Sequence, residues 1–582
     1  MSLLLGAACN ADDPTAVEAF DAPSLSVTDY SDVVSVKITA PSTSVAVGDT
    51  LRLSVTARDR SGEIVSGLPL SWSSSNTRRA TISSAGVVTG VSTGGVSIKL
   101  TTPAKTTYFY VTVVATKAAA APTDSAAADS SVTVAPDAPA PSATDIAVQA
   151  ARFDGGSGEV LVSSGVPLAP GALRPGQTGQ VRLFIGGQER KISVTELAGR
   201  HRDGSLRTVL VQTRMTFGAT ARPTGRLTLT TSRPGSYTLS KVTPPSSPSA
   251  AVLPSDPAYL VSTDLVGPTV TVAQSKALGS TFARYESDFV KYSDIHWANK
   301  GSYWGENYYD RALIYYAFWV RSGNPEYWRR GTRMAVAYRR DYLEKNSYGS
   351  SPHWAQLEGL EKHYLLTGDE KSRYAIAQVA GSAFNYWVTR LGRTDLSSFE
   401  SRIQARVLQA HLLAWRLDAK GTRDKDWGAL LPSLLDQILS TQRSDGSYRF
   451  PATCYQSLNY MTGMLNDALI NYHDYYRADP RIPVAVRKSV DWMWSTQWLS
   501  TSRGFRYLSG SCSGVGGTGA APDLNNLIVN GFAWTYARTG DARYRDRADQ
   551  IFAGGVAKAY LSGSKQFNEE YTSSYRMLGY RR

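Results

Sequence analysis

Three short stretches decide the fold of this chain: Ser322-Gly-Asn-Pro-Glu-Tyr-Trp328, Thr367-Gly-Asp-Glu-Lys-Ser-Arg-Tyr374 and Thr539-Gly-Asp-Ala-Arg-Tyr544. Each follows an aromatic, apolar run at helical spacing and opens a more polar one. The Gly can end the first helix in a left-handed conformation, and the Asn or Asp after it can cap the next by accepting a backbone N–H bond. Leu417-Asp-Ala-Lys-Gly421 and Tyr476-Arg-Ala-Asp-Pro480 hold equivalent places between the second and third copies. Five tight turns spaced by roughly 45 to 60 residues predict a series of helical hairpins.

The alternate connections, at 294–307, 344–352, 391–398, 442–453 and 500–522, are long. They fall on one rim, beside the N-termini of the more aromatic helices. That asymmetry predicts a closed α/α toroid of five or six hairpins with its cleft on the long-loop rim, rather than a solenoid of fixed repeat length. The toroid is assigned to residues 251–582.

Upstream the period changes from 3.6 to 2. Residues 146–250 form a second β domain, with strands expected at Val181-Arg-Leu-Phe-Ile185 and Leu206–Arg214. Residues 116–145 are almost entirely Ala, Pro, Ser, Thr, Val and Asp, too poor in large apolar groups to offset chain entropy, and read as a linker. Residues 33–115 alternate apolar and polar positions between Gly-bearing turns, the pattern of a β-sandwich. Residues 1–32 are assigned as a signal remnant and tether.

Within 33–115, Val47-Gly-Asp-Thr50, Leu70-Ser-Trp-Ser-Ser-Ser75, Ala80-Thr-Ile82 and Gly86-Val-Val-Thr-Gly-Val91 resemble the bacterial Ig-like group 2 domain. That resemblance implies a spacer or adhesive module on an exported protein. Glu159-Val-Leu-Val-Ser-Ser-Gly-Val-Pro-Leu-Ala-Pro-Gly-Ala-Leu173, followed by Arg200-His-Arg-Asp-Gly-Ser-Leu-Arg-Thr-Val-Leu-Val-Gln212, resembles the β domain of exo-rhamnogalacturonan-lyase-like proteins. It implies a β domain ahead of an α/α toroid that cleaves acidic pectin-type chains by elimination, without supplying a catalytic residue match.

The opening Met-Ser-Leu-Leu-Leu-Gly-Ala-Ala-Cys9 resembles the end of a bacterial lipoprotein signal, which makes Cys9 a lipidation site and places the protein at the bacterial surface through a lipid anchor. It departs from that pattern in lacking a basic segment and in its short apolar run. In an exported protein Cys454 and Cys512, both in Gly/Ser-rich loops, would form a disulfide.

Of the 13 Trp only Trp72 precedes residue 297, and 25 of the 32 Tyr lie from Tyr303 onward, so the helical half is a different material from the rest. The net charge of +13 suits an acidic polymer. The basic residues are scattered along helices and no zinc-finger, RRM-like or helix-turn-helix signature is present, so the expected partner is an acidic polysaccharide and not nucleic acid. No nucleophile elbow, Walker loop, dinucleotide fingerprint or HExxH is found, and neither a metal nor a cofactor is expected; Gly514-Val-Gly-Gly-Thr-Gly519 lacks the Lys of a phosphate loop. Oligomeric state is not legible.

Elimination from a uronate needs a group that neutralises the carboxylate, a base for the C5 proton and an acid for the leaving oxygen. The rim offers His353 as first candidate base and His296, read as part of the first long loop, as second. Tyr308 and Tyr455 are candidate proton donors. Trp304, Asn307, Trp354, Gln356, Arg406, Asn459, Tyr460 and Asn525 are candidate sugar or carboxylate contacts, although N-capping competes for every Asn. Hydrolysis instead wants two carboxyl groups; Glu306, Glu358 and Asp523 lie on this rim, and Trp354, Glu358 and Glu361 would share one helix face. A non-catalytic glycan-binding scaffold is the third possibility.

Overall fold

The computed structural model describes residues 33–40, 42–59, 64–65, 68–77, 79–114, 145–218, 221–382, 396–448, 456–511 and 517–582. The chain divides into two compact units, one containing the N-terminal β-sandwich and the other everything from residue 139 onward.

In the sandwich, Val33–Thr39 pairs with Ser54–Asp59, and Ser44–Ala46, Thr106–Val114, Gly94–Thr101 and Ser71–Ser74 form a second sheet in that order. Thr50–Arg52, Val87–Gly90 and Ala80–Ile82 form a third. Period-2 alternation turns Val36, Ile38, Leu51, Val88, Ile98, Leu100, Val111 and Val113 into one apolar core, with Trp72 packed at its edge.

The second unit opens with two packed sheets. Gln188–Glu189, Arg182–Ile185, Thr224–Thr228, Asp145–Arg152 and Ala250–Pro254 form one; Gly158–Pro167, Thr208–Phe217 and Ser193–Glu196 form the other. The strand Ala250–Pro254 pairs with Asp145–Arg152, so this sheet continues past the boundary expected at 250.

Helices α1 (Pro257–Ser262) and α2 (Val272–Lys276) lead into an outer layer of α3 (Ser280–Lys300), α5 (Pro325–Tyr338), α7 (Glu370–Ser382), α9 (Trp427–Leu439), α11 (Arg481–Trp492) and α13 (Ala542–Lys558). The inner layer is α4 (Arg311–Ser322), α6 (Glu358–Thr367), α8 (Ser401–Arg416), α10 (Asn459–Asn471), α12 (Val529–Thr539) and α14 (Ser564–Tyr571). Helix α4 packs on α6, α8 on α10, α10 on α12, and α14 returns to α4. Among the described residues this makes an α/α toroid of six inner and six outer helices, closed where α14 meets α4. At the closing seam Arg311 donates to Asn568 Oδ1, and Asn568 Nδ2 donates to the Glu306 carbonyl at 2.9 Å.

The three diagnostic turns form as their residues dictate. Gly323, Gly368 and Gly540 adopt φ of 70°, 75° and 69°, and Asn324, Asp369 and Asp541 accept from the backbone N–H two residues on. Nearly every residue of α4 and α6 is buried, because the ring interior covers one face and outer helices or the β domain cover the other. The β domain seats on α6 closely enough that a Cβ on Gly165 would stand 1.9 Å from the Leu365 carbonyl oxygen. The Tyr364 hydroxyl also accepts from Ala198 N at 2.8 Å.

Candidate functional site

The N-terminal ends of the inner helices meet on the rim opposite the diagnostic turns. Before α4, Tyr309 and Asp310 adopt φ of 62° and 64°, two consecutive non-Gly residues in the left-handed region. Such strain persists only where the surroundings hold it. Asp310 supplies the hold, accepting from Leu313 N at 3.2 Å within its own helix and from Gly359 N at 2.8 Å at the start of α6. Burial, with Glu358 nearby, pushes the Asp310 carboxyl up to about 7. The pair of residues ahead of α4, Tyr308 and Tyr309, is thereby fixed relative to α6.

Around these tyrosines stand groups from the other five inner helices or the turns that lead into them. Arg402, in the first turn of α8, lies within the electrostatic reach of Tyr460 (α10), Tyr309 and Tyr308; burial opposes its charge, but these hydroxyls and Glu400 outweigh burial and raise its pKa. Glu400 also meets the Arg402 guanidinium at 3.3 Å. From α14, Lys565 Nζ stands 5.8 Å from the Tyr308 ring centre and 3.9 Å from Glu569. Burial raises the Glu569 carboxyl to about 7, against the pull of Lys565 and with help from Asp523, in the turn before α12. His353, in the 3-10 turn before α6, has its pKa lowered to about 3 by burial and by Arg402, Arg406 and Lys565, so it is neutral at physiological pH.

An aromatic wall flanks this cluster. Tyr308 meets Trp354 at 4.7 Å between ring centres, and Trp304 stacks on Tyr342 at 4.9 Å and tilts onto Trp354 at 5.3 Å. Inward from Tyr309, Glu358 and Arg406, a cavity of about 90 Å³ runs between the inner helices toward Asp467, Asn471, Arg416 and Arg576.

Of the residues expected at a site, the structure brings together His353, Tyr308, Tyr460 and Arg406, with Trp304, Trp354 and Glu358 alongside. Arg406 Nη1 is 4.0 Å from Glu358. Trp354 is buried beneath Tyr308 and Trp304, and it lies in a 3-10 turn ahead of α6, so it does not share a helix face with Glu358 and Glu361. Glu361 is fully buried and bound by Arg207, Lys362 and Arg416, which leaves it no open side.

Several candidates serve the fold instead. His296 is not in a loop: α3 runs on to Lys300, and the buried imidazole meets the Leu561 carbonyl at 2.8 Å and Phe567 edge-on. Glu306 accepts from Ser564 Oγ and lies 3.6 Å from Arg311, tying the first rim turn to α14. Asn307 caps, its Oδ1 accepting from Ala312 N at 2.9 Å. Gln356 is wholly buried and donates to the His353 carbonyl at 2.7 Å. Asn459 holds the neighbouring loop through the Arg506 carbonyl at 2.7 Å, and Asn525 donates to the Arg503 and Ile551 carbonyls at 2.8 and 3.0 Å. Tyr455, the Cys454–Cys512 pair and Cys9 lie outside the described residues.

Sequence reasoning assigned no role to Tyr309, Arg402, Lys565 or Glu569. No tight turn of this kind follows helix α14, so it was not legible as an inner helix; the adjacent acids Glu569 and Glu570 on an aromatic helix were the available signal. Among the described residues no cluster of His, Cys, Asp and Glu could hold a metal ion, and no helix is long and apolar enough to cross a membrane.

Fold and site together define a multidomain protein with an Ig-like sandwich, further β sheets and an α/α toroid carrying a basic, tyrosine-rich rim. Residues 32–113 match the bacterial Ig-like domain (group 2). No curated protein matches the chain. Among solved structures, it is similar to a glycosyl hydrolase family 88 protein from Bacteroides vulgatus, at 13% identity and a TM-score of 0.37, over 53% of this chain and 100% of that one. It is also similar to cellobiose 2-epimerase from Bacillus thermoamylovorans, at 10% identity and a TM-score of 0.37, over 46% and 85%. Unsaturated glucuronyl hydrolase from Bacillus sp. GL1 aligns at 9% identity and a TM-score of 0.36, over 48% and 86%. The toroid is established by the helix packing itself and takes no support from these scores.

Proposed function

We propose that the protein is a glycan-processing enzyme, specifically a polysaccharide lyase that cleaves a uronate-containing chain by β-elimination. The observation that carries this reading is Arg402 set among the hydroxyls of Tyr308, Tyr309 and Tyr460 within the field of a neutral His353.

Arg402 would pair with the uronate carboxylate and stabilise the charge that builds on it as the C5 proton leaves. His353 would take that proton. Three cations and burial hold the imidazole neutral, and a bound uronate, being negative, would offset those cations and restore its basicity. The electron pair from the C5–H bond forms the C4–C5 double bond, the C4–O bond breaks, and the leaving oxygen takes a proton from Tyr309. Burial raises the Tyr309 pKa well above the usual phenol value, so the hydroxyl keeps its proton until the oxyanion forms. Trp304 and Tyr460 would bound the sugar.

One observation favours hydrolysis as a second reading: Glu569, with its carboxyl at about 7, beside Asp523 gives an acid and a carboxylate at one edge of the site. Digestion of oligogalacturonate and of glucuronate-containing chains separates the two. The ultraviolet absorbance of the conjugated product supports the lyase; new reducing ends without it support hydrolysis and overturn the lyase assignment. Export to the bacterial surface, through lipidated Cys9 and with the Ig-like domain as spacer, is part of the same proposal.

A further inference from the structure

On the side of the ring away from the rim, the β-domain loop 198–204 faces the C-terminal ends of α8 and α10 across an open cleft of about 1110 Å³. The cleft is lined by Arg200, Arg202, Arg207 and Arg416, with Trp415, Tyr475 and Tyr476 as aromatic surfaces. Its charges are unevenly engaged. Asp203 accepts from Ser205 and faces Arg174, Asp418 pairs with Lys420 at 2.8 Å, and Asp474 accepts from the Trp534 indole at 3.0 Å. Asp264, the fourth acid, partly opposes the burial and the neighbouring Arg416 that lower the Arg207 pKa, but forms no ion pair among the described residues. Arg202 is exposed and likewise forms no ion pair among the described residues.

The walls are built rather than incidental. Trp415 is half-buried and held edge-on by Tyr476 at 4.8 Å, and the Arg416 guanidinium lies over Tyr475 at 4.1 Å. Asp264 and Asp418 both adopt positive φ, 51° and 44°, backbone strain of the kind that gathers at ligand sites. Arg416 and Tyr475 also line the axial cavity, so the cleft and that cavity share one wall.

We infer that this cleft is a second binding site for uronate-bearing oligosaccharides, with Trp415 as the sugar platform and Arg202 as the carboxylate contact. A half-buried indole beside planar guanidinium groups suits a ring with an apolar face and a carboxylate at its edge. The inference does not depend on which reaction the rim performs.

The test is calorimetric titration of the full chain carrying Arg402→Ala, which weakens the rim site, with oligogalacturonate and hyaluronate oligosaccharides as acidic probes and a cello-oligosaccharide as the neutral control. At least one acidic probe should bind, more weakly as salt rises, and adding Arg202→Glu should weaken it at least tenfold; Arg202 is exposed, so this variant folds. Trp415→Ala, with folding checked by its thermal transition, should do the same. The inference is overturned if neither acidic probe binds the Arg402→Ala protein, if Arg202→Glu leaves affinity unchanged, or if the neutral control binds equally well. Binding at the cleft, while the protein with Arg402 intact forms no double bond on any acidic chain, would defeat the lyase reading alone.

Discussion

Arg207 of the β domain reaches Glu361 of the ring at 2.8 Å, with both side chains almost wholly out of solvent. Lys362 and Arg416 converge on the same carboxylate, so one anion holds three cations where the β domain meets α6. Glu361→Gln removes that anion and leaves the cations facing each other. Breaking such a buried cluster costs about 3–5 kcal/mol, and denaturant unfolding should show a loss of that order. A loss near that of a surface substitution would mean the seam is held by apolar contact instead.

Arg402→Ala should lower kcat/KM by about a hundredfold to a thousandfold, the range for removing one group that stabilises a developing oxyanion. Arg402→Lys should recover little, because a point charge cannot make the bidentate pair. Unsaturated-product formation is the assay; near wild-type rates in the Ala variant would remove Arg402 from the chemistry.

Tyr309→Phe should lower kcat more than it raises KM, since the hydroxyl is needed only as the leaving oxygen accepts its proton. The thermal transition should stay close to wild type. A change confined to KM would assign Tyr309 to binding.

The buried Glu570, which accepts from Asn526 at 2.7 Å, has its carboxyl pushed up to about 8 by burial. In the unfolded chain a Glu titrates near about 4.3. Between those values the folded state holds a proton that the unfolded state has released, so this group's contribution to stability falls as pH rises. Glu570→Gln should therefore raise Tm by a few degrees more at pH about 8 than at pH about 5. Equal shifts at both would show that the carboxyl titrates normally.

At Gly359 an added Cβ would lie 2.3 Å from Asp310 Oδ1 and 2.8 Å from Ala312 Cβ. Gly359→Ala should cost about 1–3 kcal/mol of stability through overpacking and release the Tyr309–Asp310 backbone. Activity should fall at temperatures where the variant is still folded. Full activity in the folded variant would separate the strained pair from the site.

The five tight turns were readable, three from Gly323, Gly368 and Gly540 with the Asn or Asp after each and two from Leu417–Gly421 and Tyr476–Pro480, and with them the rim on which charged groups gather. The rim Asn residues were not, because Asn307, Asn459 and Asn525 bind backbone with the same atoms that would bind a sugar, and only burial distinguishes the two uses. His296 misled for a different reason: α3 carries its helix through a stretch whose polar spacing reads as loop. Tyr309 was hidden by its neighbour, since left-handed backbone at two successive non-Gly residues has no sequence signature.

The closing seam between Arg311 and Asn568 joins residues at opposite ends of the ring sequence, and Lys565 and Glu569 stand on the same short helix as Asn568. The rim cluster is thus completed by the last inner helix to leave the ribosome. A nascent or clipped chain ending before α14 would carry the Arg402 and His353 half of the cluster without its partners, so under the proposed function turnover would report ring closure, and a proteolytic nick in the last helices should abolish turnover before it unfolds the rest.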